Sequence, residues 1–141
     1  MRLAYQRYYN ISGEDMMTVL KTMKLHIHVS EEEEFLLKDL TTKYSEACNA
    51  LSEYLFQHDF PMNFMVLQNA MYQTIRDMYG LKSQMTISAC KTVTARYKTI
   101  QEQLYKKPYK WKDEGDEWHY ETRTLEWLSK PVMFRRPQAD L

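Results

Sequence analysis

Between residues 30 and 106, apolar residues recur at helical spacing in three successive stretches. Ser30 and Glu33 have the spacing of a capping box, and the block Glu31–Glu34 places negative charge where a helix amino terminus favours it. The apolar positions that follow recur at spacings of one, three or four residues: Phe35, Leu36, Leu40, Tyr44, Ala47, Cys48, Leu51 and Leu55. This pattern predicts a long helix with one apolar face, ending near His58 and before Phe60-Pro61.

Two further helices are predicted behind the first. One runs from Asn63 to Tyr79, and Gly80 supplies its carboxyl-terminal stop. The other begins at Ser83, which can cap it, and it repeats apolar residues about every 3.5 positions; these residues are Ile87, Cys90, Val93, Tyr97, Ile100 and Leu104. Because amphipathic helices must bury their apolar faces, residues 30–106 are predicted to form a helical lobe of helix-turn-helix type.

The segments that flank this lobe predict β-structure, so the expected fold class is mainly α (α+β). Residues 1–16 show no clear period and are interpreted as an extension, whereas alternation between Val19 and Val29 predicts a half-buried strand over residues 17–29. Residues 107–130 form a basic and aromatic connector, whose Asp113–Asp116 cluster indicates a hairpin or an exposed loop. Residues 131–141 predict the start of a second extended segment, with the strand near Leu25 as its expected partner.

Composition narrows the possible classes of protein. The chain has 141 residues, and Lys+Arg and Asp+Glu are equal at 19 each, so net charge alone favours no partner. Cys48 and Cys90, both in apolar helical patterns, predict buried reduced thiols rather than a disulfide framework or a four-thiolate zinc site. Met1 to Gly13 lacks a continuous apolar run, so we expect no signal peptide, no membrane anchor and a cytoplasmic location.

Residue patterns typical of an active site are missing from the sequence. Glycine occurs only at Gly13, Gly80 and Gly115, which leaves no phosphate-binding glycine loop, and no Gly-x-Ser-x-Gly motif occurs. His26 and His28 have a metal-ligand spacing but no third ligand nearby, and they are interpreted as exposed residues of the strand. The sequence therefore predicts no catalytic residue, no metal site and no cofactor.

Positive charge is concentrated between Lys91 and Lys112, where seven basic residues stand against the single acid Glu102. The basic residues are Lys91, Arg96, Lys98, Lys106, Lys107, Lys110 and Lys112, and the aromatic residues among them are Tyr97, Tyr105, Tyr109 and Trp111. Cations track phosphates and rings stack on unpaired bases, so this mixture predicts a nucleic-acid-binding surface. An ordinary solvated helix face is the alternative, and Arg135 and Arg136 beside Phe134 repeat the pattern on a smaller scale.

Four short phrases carry a resemblance to a known family. They are Gly80-Leu81-Lys82-Ser83-Gln84-Met85, Ala95-Arg96-Tyr97-Lys98, Lys107-Pro108-Tyr109-Lys110 and Arg136-Pro137-Gln138-Ala139-Asp140-Leu141. In this order they resemble the TnpB type of insertion-sequence protein, a transposon-encoded RNA-guided endonuclease related to type V CRISPR effectors. The likeness covers roughly residues 17 to 141.

The resemblance implies a specific architecture and a specific role. In that family a strand of a wedge-type barrel is interrupted by a helical recognition lobe and then resumes, and the protein binds a guide RNA and a target DNA. A short target-adjacent motif would be read near the amino terminus of the third helix, by position through Lys82, Ser83, Gln84 and Thr86. The family's carboxylate nuclease site and zinc ribbon lie after the second barrel segment, so the resemblance implies a truncated fragment with an incomplete barrel and no nuclease activity.

Two other interpretations stay open beside nucleic-acid binding. The chain could be a helical protein-interaction or regulatory module that acts on a full-length homologue. It could also be a non-functional remnant of a mobile element.

Overall fold

The computed structural model describes the backbone of residues 2–11, 15–24 and 26–135, and the side chains of residues 26–135. The fold is mainly α, with small antiparallel sheets, as the sequence predicted. The chain divides into two compact units, residues 1–36 and residues 37–141. The barrel expected from the family resemblance stays a prediction.

The first unit contains a two-stranded antiparallel sheet of strand β1, Arg2–Ile11, and strand β2, Asp15–Lys24. Residues 2–11 are therefore not the unpaired extension that the sequence suggested; tyrosines and Ile11 suit a strand, although their spacing hid the period. The strand predicted over residues 17–29 is present only up to Lys24, which pairs with Arg2 at the end of the ladder. His26 to Ser30 lack strand structure, and Leu25 lies outside the described residues.

Helix α1 spans Glu31–Gln57 and begins with the predicted capping box. The Ser30 backbone N–H donates to the Glu33 carboxylate at 2.9 Å, and the Glu33 N–H donates to Ser30 Oγ at 3.3 Å. The hydrogen bonds that the Glu33 carboxylate accepts from the backbone N–H and the hydroxyl of Ser30 lower the pKa of Glu33. The predicted apolar face is only partly buried, since Phe35 and Leu36 are 71% and 63% exposed while the core begins at Ala47.

Helices α2, Phe64–Tyr79, and α3, Ser83–Lys106, follow as predicted. Asn63 caps α2 by accepting a hydrogen bond from the Met65 N–H, at 2.9 Å. Gly80 ends this helix in the left-handed conformation at φ 64°, where a side chain would be strained, and its N–H donates to the Arg76 carbonyl. The turn from Gly80 to Lys82 then leads directly into α3.

The hydrophobic core lies among the three helices. Its buried members are Ala47, Cys48, Leu51, Leu55, Leu67, Ile75, Leu81, Ala89, Cys90, Val93, Tyr97 and Leu125. Most of these residues come from the later turns of α1 and from the apolar stripes of α2 and α3, whereas Leu81 comes from the turn between α2 and α3 and Leu125 from the segment after the second hairpin. The packing therefore fixes which side of α3 faces solvent.

Cys48 and Cys90 are buried and free, which confirms the predicted reduced thiols. Burial raises the pKa of each thiol to about 11. Between about pH 9 and pH 11 the native state keeps both thiols protonated, whereas the unfolded chain releases their protons. The contribution of the thiols to stability is therefore complete below pH 9 and is lost as the pH rises towards about 11.

We expect the unfolding free energy of the wild type to fall over this alkaline range more steeply than that of a Cys48→Ala/Cys90→Ala variant. Urea titrations at a series of pH values measure the two slopes. Parallel slopes would show that the thiols are not buried in the native state.

The segment from Pro131 to Arg135 lies against α1 and α3 without joining a strand. The Asn49 amide exchanges two hydrogen bonds with the backbone of Phe134, at 2.7 and 3.2 Å. Ser52 Oγ donates to the Val132 carbonyl at 2.6 Å, and the Val132 N–H donates to the Tyr97 hydroxyl at 3.1 Å. Helix side chains thus bond the backbone of Val132 and Phe134. The expected pairing of this segment with the strand near Leu25 stays a prediction, and Leu25 and residues 136–141 lie outside the described part.

Candidate nucleic-acid interface

Five cations on α3 and at its end point into solvent: Lys91, Arg96, Lys98, Lys106 and Lys107. We call this set the basic face. Lys91, Lys98 and Lys106 are seven and eight residues apart, so they lie on one side of the helix at intervals of roughly 10–12 Å. The buried stripe through Cys90, Val93 and Tyr97 holds this side away from the core.

None of the five cations of the basic face forms an ion pair within residues 26–135, and Glu102 lies one helical turn from both Lys98 and Lys106. Ion pairs elsewhere in this part of the chain include Lys43–Asp39, Lys112–Asp116 and the contact of His119 with Asp113. Lys91 Nζ instead lies 5.2 Å from the centroid of the Phe64 ring on α2. The predicted positive charge is thus exposed, with Lys91, Lys98 and Lys106 on one side of α3 and Arg96 about 160° around the helix from Lys98.

A second antiparallel hairpin follows α3, which confirms the hairpin predicted for the connector. Strand β3 is Tyr109–Lys112 and strand β4 is Trp118–Glu121. The Arg123 Nε–H donates to the Lys107 carbonyl at 2.6 Å and ties the base of the hairpin to the end of α3. The basic face therefore continues directly into the hairpin.

Asp113 organises the turn of this hairpin. Its carboxylate accepts hydrogen bonds from the Gly115 and Glu117 backbone N–H groups at 2.9 and 3.0 Å, and it contacts His119 Nε2 at 2.8 Å. The hydrogen bond from His119, followed by those from the backbone, lowers the pKa of Asp113. The stabilisation that this carboxylate provides is present above its ordinary pKa and is lost as the pH falls through the lowered native value.

We expect Asp113→Ala to open the hairpin and leave the helical bundle folded, since the core contains no residue of the turn. The near-ultraviolet circular dichroism of the hairpin tryptophans should weaken, while the helical melting transition measured at 222 nm stays in place. If the tryptophan signal and the helical melting transition were lost together, the hairpin would not fold independently of the helical bundle.

The two faces of the hairpin carry different sets of rings. On one face Tyr109 stacks with Trp111 at a centroid distance of 5.5 Å, and Trp111 stacks with His119 at 5.4 Å. Trp127, which belongs to a short 3-10 helix at Leu125–Trp127, adds a fourth ring 5.6 Å from Tyr109. Lys110 and Lys112 share the opposite face with Trp118 and Tyr120.

Two of the predicted contact residues, Tyr97 and Thr86, are corrected by the structure, and so is the predicted capping role of Ser83, whose contact with nucleic acid stays a prediction. Tyr97 is 0% exposed and its ring packs against Phe60 at 5.7 Å, so it is a core residue that cannot stack on a base. Thr86 is also fully buried, and its hydroxyl donates to the Lys82 carbonyl at 3.2 Å. Ser83 does not cap α3, because the cap position is Lys82 and no side chain bonds the free N–H groups there.

The remaining predicted residues lie at separate places. Lys82 and Gln84 are exposed at the amino terminus of α3, roughly 36 Å of helix away from Lys107. Arg135 is exposed, and Arg136 lies outside the described residues. The structure therefore brings together the basic face with Tyr109, Lys110 and Trp111, and it leaves the residues at the start of α3 at the far end of the helix.

Four ring-bearing residues were missed in the sequence: Trp118, His119, Tyr120 and Trp127. Trp118 and Tyr120 alternate with His119 in a four-residue strand, a pattern that indicates a strand with rings on both faces. Tyr120 lies opposite Lys110 and Trp118 opposite Lys112, and predicting these pairs requires the register of the hairpin. A short turn with several acidic residues does not specify that register.

The described residues contain neither a metal-binding group of side chains nor a membrane-spanning helix. Within the part of the chain that the structure describes, no group of three or more His, Cys, Asp or Glu side chains is placed to hold a metal ion. No helix among those residues is long and apolar enough to cross a bilayer. In comparisons with known proteins, no model of a protein family, no curated protein and no solved structure matches the chain.

Proposed function

We propose that the protein binds nucleic acid through the basic face of α3 and the hairpin that follows it. The observation that carries this proposal is the row of Lys91, Lys98 and Lys106 on one exposed side of α3, none of which forms an ion pair within residues 26–135. Cations left without carboxylate partners keep their full interaction with an external polyanion, and phosphate contacts supply most of the affinity of such surfaces.

The TnpB resemblance supports the same proposal and supplies its biological setting. The phrases around Arg96 and around Lys107 to Lys110 coincide with the basic face and with strand β3. We therefore propose that DNA and a guide RNA are the partners, as in that family. Contacts at Lys82 and Gln84 with a target-adjacent motif belong to the same proposal, which assigns no bond cleavage to this chain.

Salt dependence tests the proposal. The affinity for a fluorescein-labelled 20-nucleotide DNA or RNA should fall steeply as the salt concentration rises, by a factor of about ten or more between 50 and 200 mM for three or more phosphate contacts. Anisotropy titrations at four salt concentrations give the slope. No binding, or binding without a salt dependence, would overturn the proposal.

A protein-interaction module is the second candidate, and one observation favours it. The apolar residues at the start of α1 are exposed, among them Phe35, Leu36 and Leu37. Co-expression with a full-length homologue of the TnpB type, followed by affinity purification of the tagged partner, separates this candidate from nucleic-acid binding when nuclease treatment precedes the purification.

A further inference from the structure

Trp118 and Tyr120 form an aromatic pair on one face of the second hairpin. Both belong to β4 and are two residues apart, so their side chains project from the same face, with roughly 7 Å between their Cα atoms. They are 57% and 61% exposed. No ring contact engages either residue within residues 26–135, whereas the rings of the opposite face stack on one another.

The same face carries two lysines in direct register with these rings. Lys110 pairs with Tyr120 across the strands, and Lys112 pairs with Trp118. The lysine Nζ atoms lie 5.2 and 5.3 Å from the ring centroids. Each exposed ring therefore has an ammonium group beside it.

One acidic residue of the hairpin, Asp116, reaches this face through its ion pair with Lys112. Glu121 pairs with Tyr109 and so belongs to the opposite face. In the turn, Asp113 is occupied by backbone N–H groups and His119, and Asp116 is paired with Lys112. Lys110 has no ion pair within the described residues, so the ladder positions of this face combine rings with positive charge and contain no carboxylate.

We infer that this face of the hairpin, formed by Lys110, Lys112, Trp118 and Tyr120, binds the unpaired bases of a single-stranded nucleic acid. The inference rests on the proposed function and names the form of nucleic acid that the surface takes. Bases stack on the Trp118 and Tyr120 rings, and Lys110 leaves its ring to contact an adjoining phosphate. Lys112 does the same by exchanging its ion pair with Asp116 for a phosphate. Stacking of a base on an aromatic ring outweighs an exposed cation–π contact, so this exchange favours the complex.

A duplex cannot use this face in the same way. Its bases are stacked on their neighbours at a spacing of about 3.4 Å, so neither face of a base is open to a protein ring. The hairpin therefore distinguishes unpaired from paired bases, while the basic face contacts the phosphates of either form.

Two variants of the full chain test the inference. Trp118→Ala/Tyr120→Ala should weaken binding of 12-nucleotide oligo(dT) and oligo(U) by about tenfold or more, and should leave the affinity for a 12-base-pair duplex within about twofold. Trp118→Phe/Tyr120→Phe keeps both rings and should retain most of the single-strand affinity. Loss with both oligomers assigns the site to unpaired bases in general, and loss with one alone assigns it to the corresponding sugar.

Tyr72→Ala supplies a matched control, since this ring on α2 also lies beside a cation, with Arg76 at 5.6 Å, and is outside the hairpin. It should bind every oligonucleotide as the wild type does. The inference is overturned if the alanine pair loses duplex and single-strand binding equally, if it loses neither, or if the phenylalanine pair is as defective as the alanine pair. An absence of salt-dependent binding by the wild type would instead remove the proposed function itself.

Discussion

Replacing Lys91, Lys98 and Lys106 with alanine together should lower the affinity for DNA or RNA by about a hundredfold or more in 0.1 M salt. Each cation that neutralises a phosphate releases about 0.9 counterion from duplex DNA, so three lost contacts remove between two and three powers of ten in the binding constant at this salt concentration. Anisotropy titration of wild type and triple variant measures the difference.

The triple variant should fold as the wild type does. All three side chains are exposed, and none takes part in an ion pair within the described residues. Surface substitutions of this kind change stability by about 0.5 kcal/mol or less each. Lys43→Ala is the matched control, because Lys43 on α1 is an exposed lysine paired with Asp39; binding of the triple variant at the level of this control would contradict the placement of the interface on α3.

Tyr97→Ala should destabilise the helical bundle by about 3–5 kcal/mol, the cost of removing a large aromatic side chain from a core. The ring is completely buried, and its hydroxyl links α1 to the segment after the second hairpin. The Tyr97 hydroxyl contacts Ser52 Oγ at 2.8 Å and donates to the Ser52 carbonyl at 3.2 Å. Urea denaturation followed by circular dichroism gives the loss of stability.

Tyr97→Phe distinguishes the contribution of the ring to stability from the contribution of the hydroxyl. It keeps the packing but leaves the Val132 N–H without its acceptor, and the expected cost is about 1–3 kcal/mol. Tyr105→Ala is the control, since that ring is 71% exposed on the same helix and should change stability by about 0.5 kcal/mol or less. Equal effects of Tyr97→Ala and Tyr105→Ala would contradict the burial of Tyr97.

The helix boundaries were predictable because local chemistry sets them. The Ser30–Glu33 capping box, the Asn63 cap and the left-handed Gly80 each act within a few residues, so a short stretch of sequence contains all the information needed. The apolar face of α1 was predicted too long, because periodicity does not tell which part of a helix its neighbours cover. Phe35 and Leu36 show this difference.

Tyr97 illustrates how two sequence patterns can conflict. It belongs to the apolar repeat of α3, and it also lies between Arg96 and Lys98, which made it a candidate for base stacking. The structure follows the repeat, because a helix turns by about 100° per residue and neighbours in sequence face different directions. The helical phase alone separates Tyr97 from the cations beside it.

The ring-bearing face of the second hairpin could not be read from the sequence. Trp118 and Tyr120 become neighbours of Lys112 and Lys110 only through the strand register, which the Asp113 turn fixes by several hydrogen bonds. The path of residues 131–135 was hidden for a similar reason, because Asn49 is a single polar residue on a long helix and its partner lies 85 positions away. Such contacts depend on tertiary structure.

The central claim is that nucleic acid binds on the exposed side of α3 and on the hairpin after it. Titration of isotopically labelled protein with oligo(dT), followed by the backbone amide resonances, tests it most directly. The account predicts shifts that cluster at Lys98, Lys106 and Lys107 and along Tyr109–Lys112 and Trp118–Glu121, with α2 unaffected. Shifts confined to α1 or α2, or no shifts at saturating oligonucleotide, would contradict it.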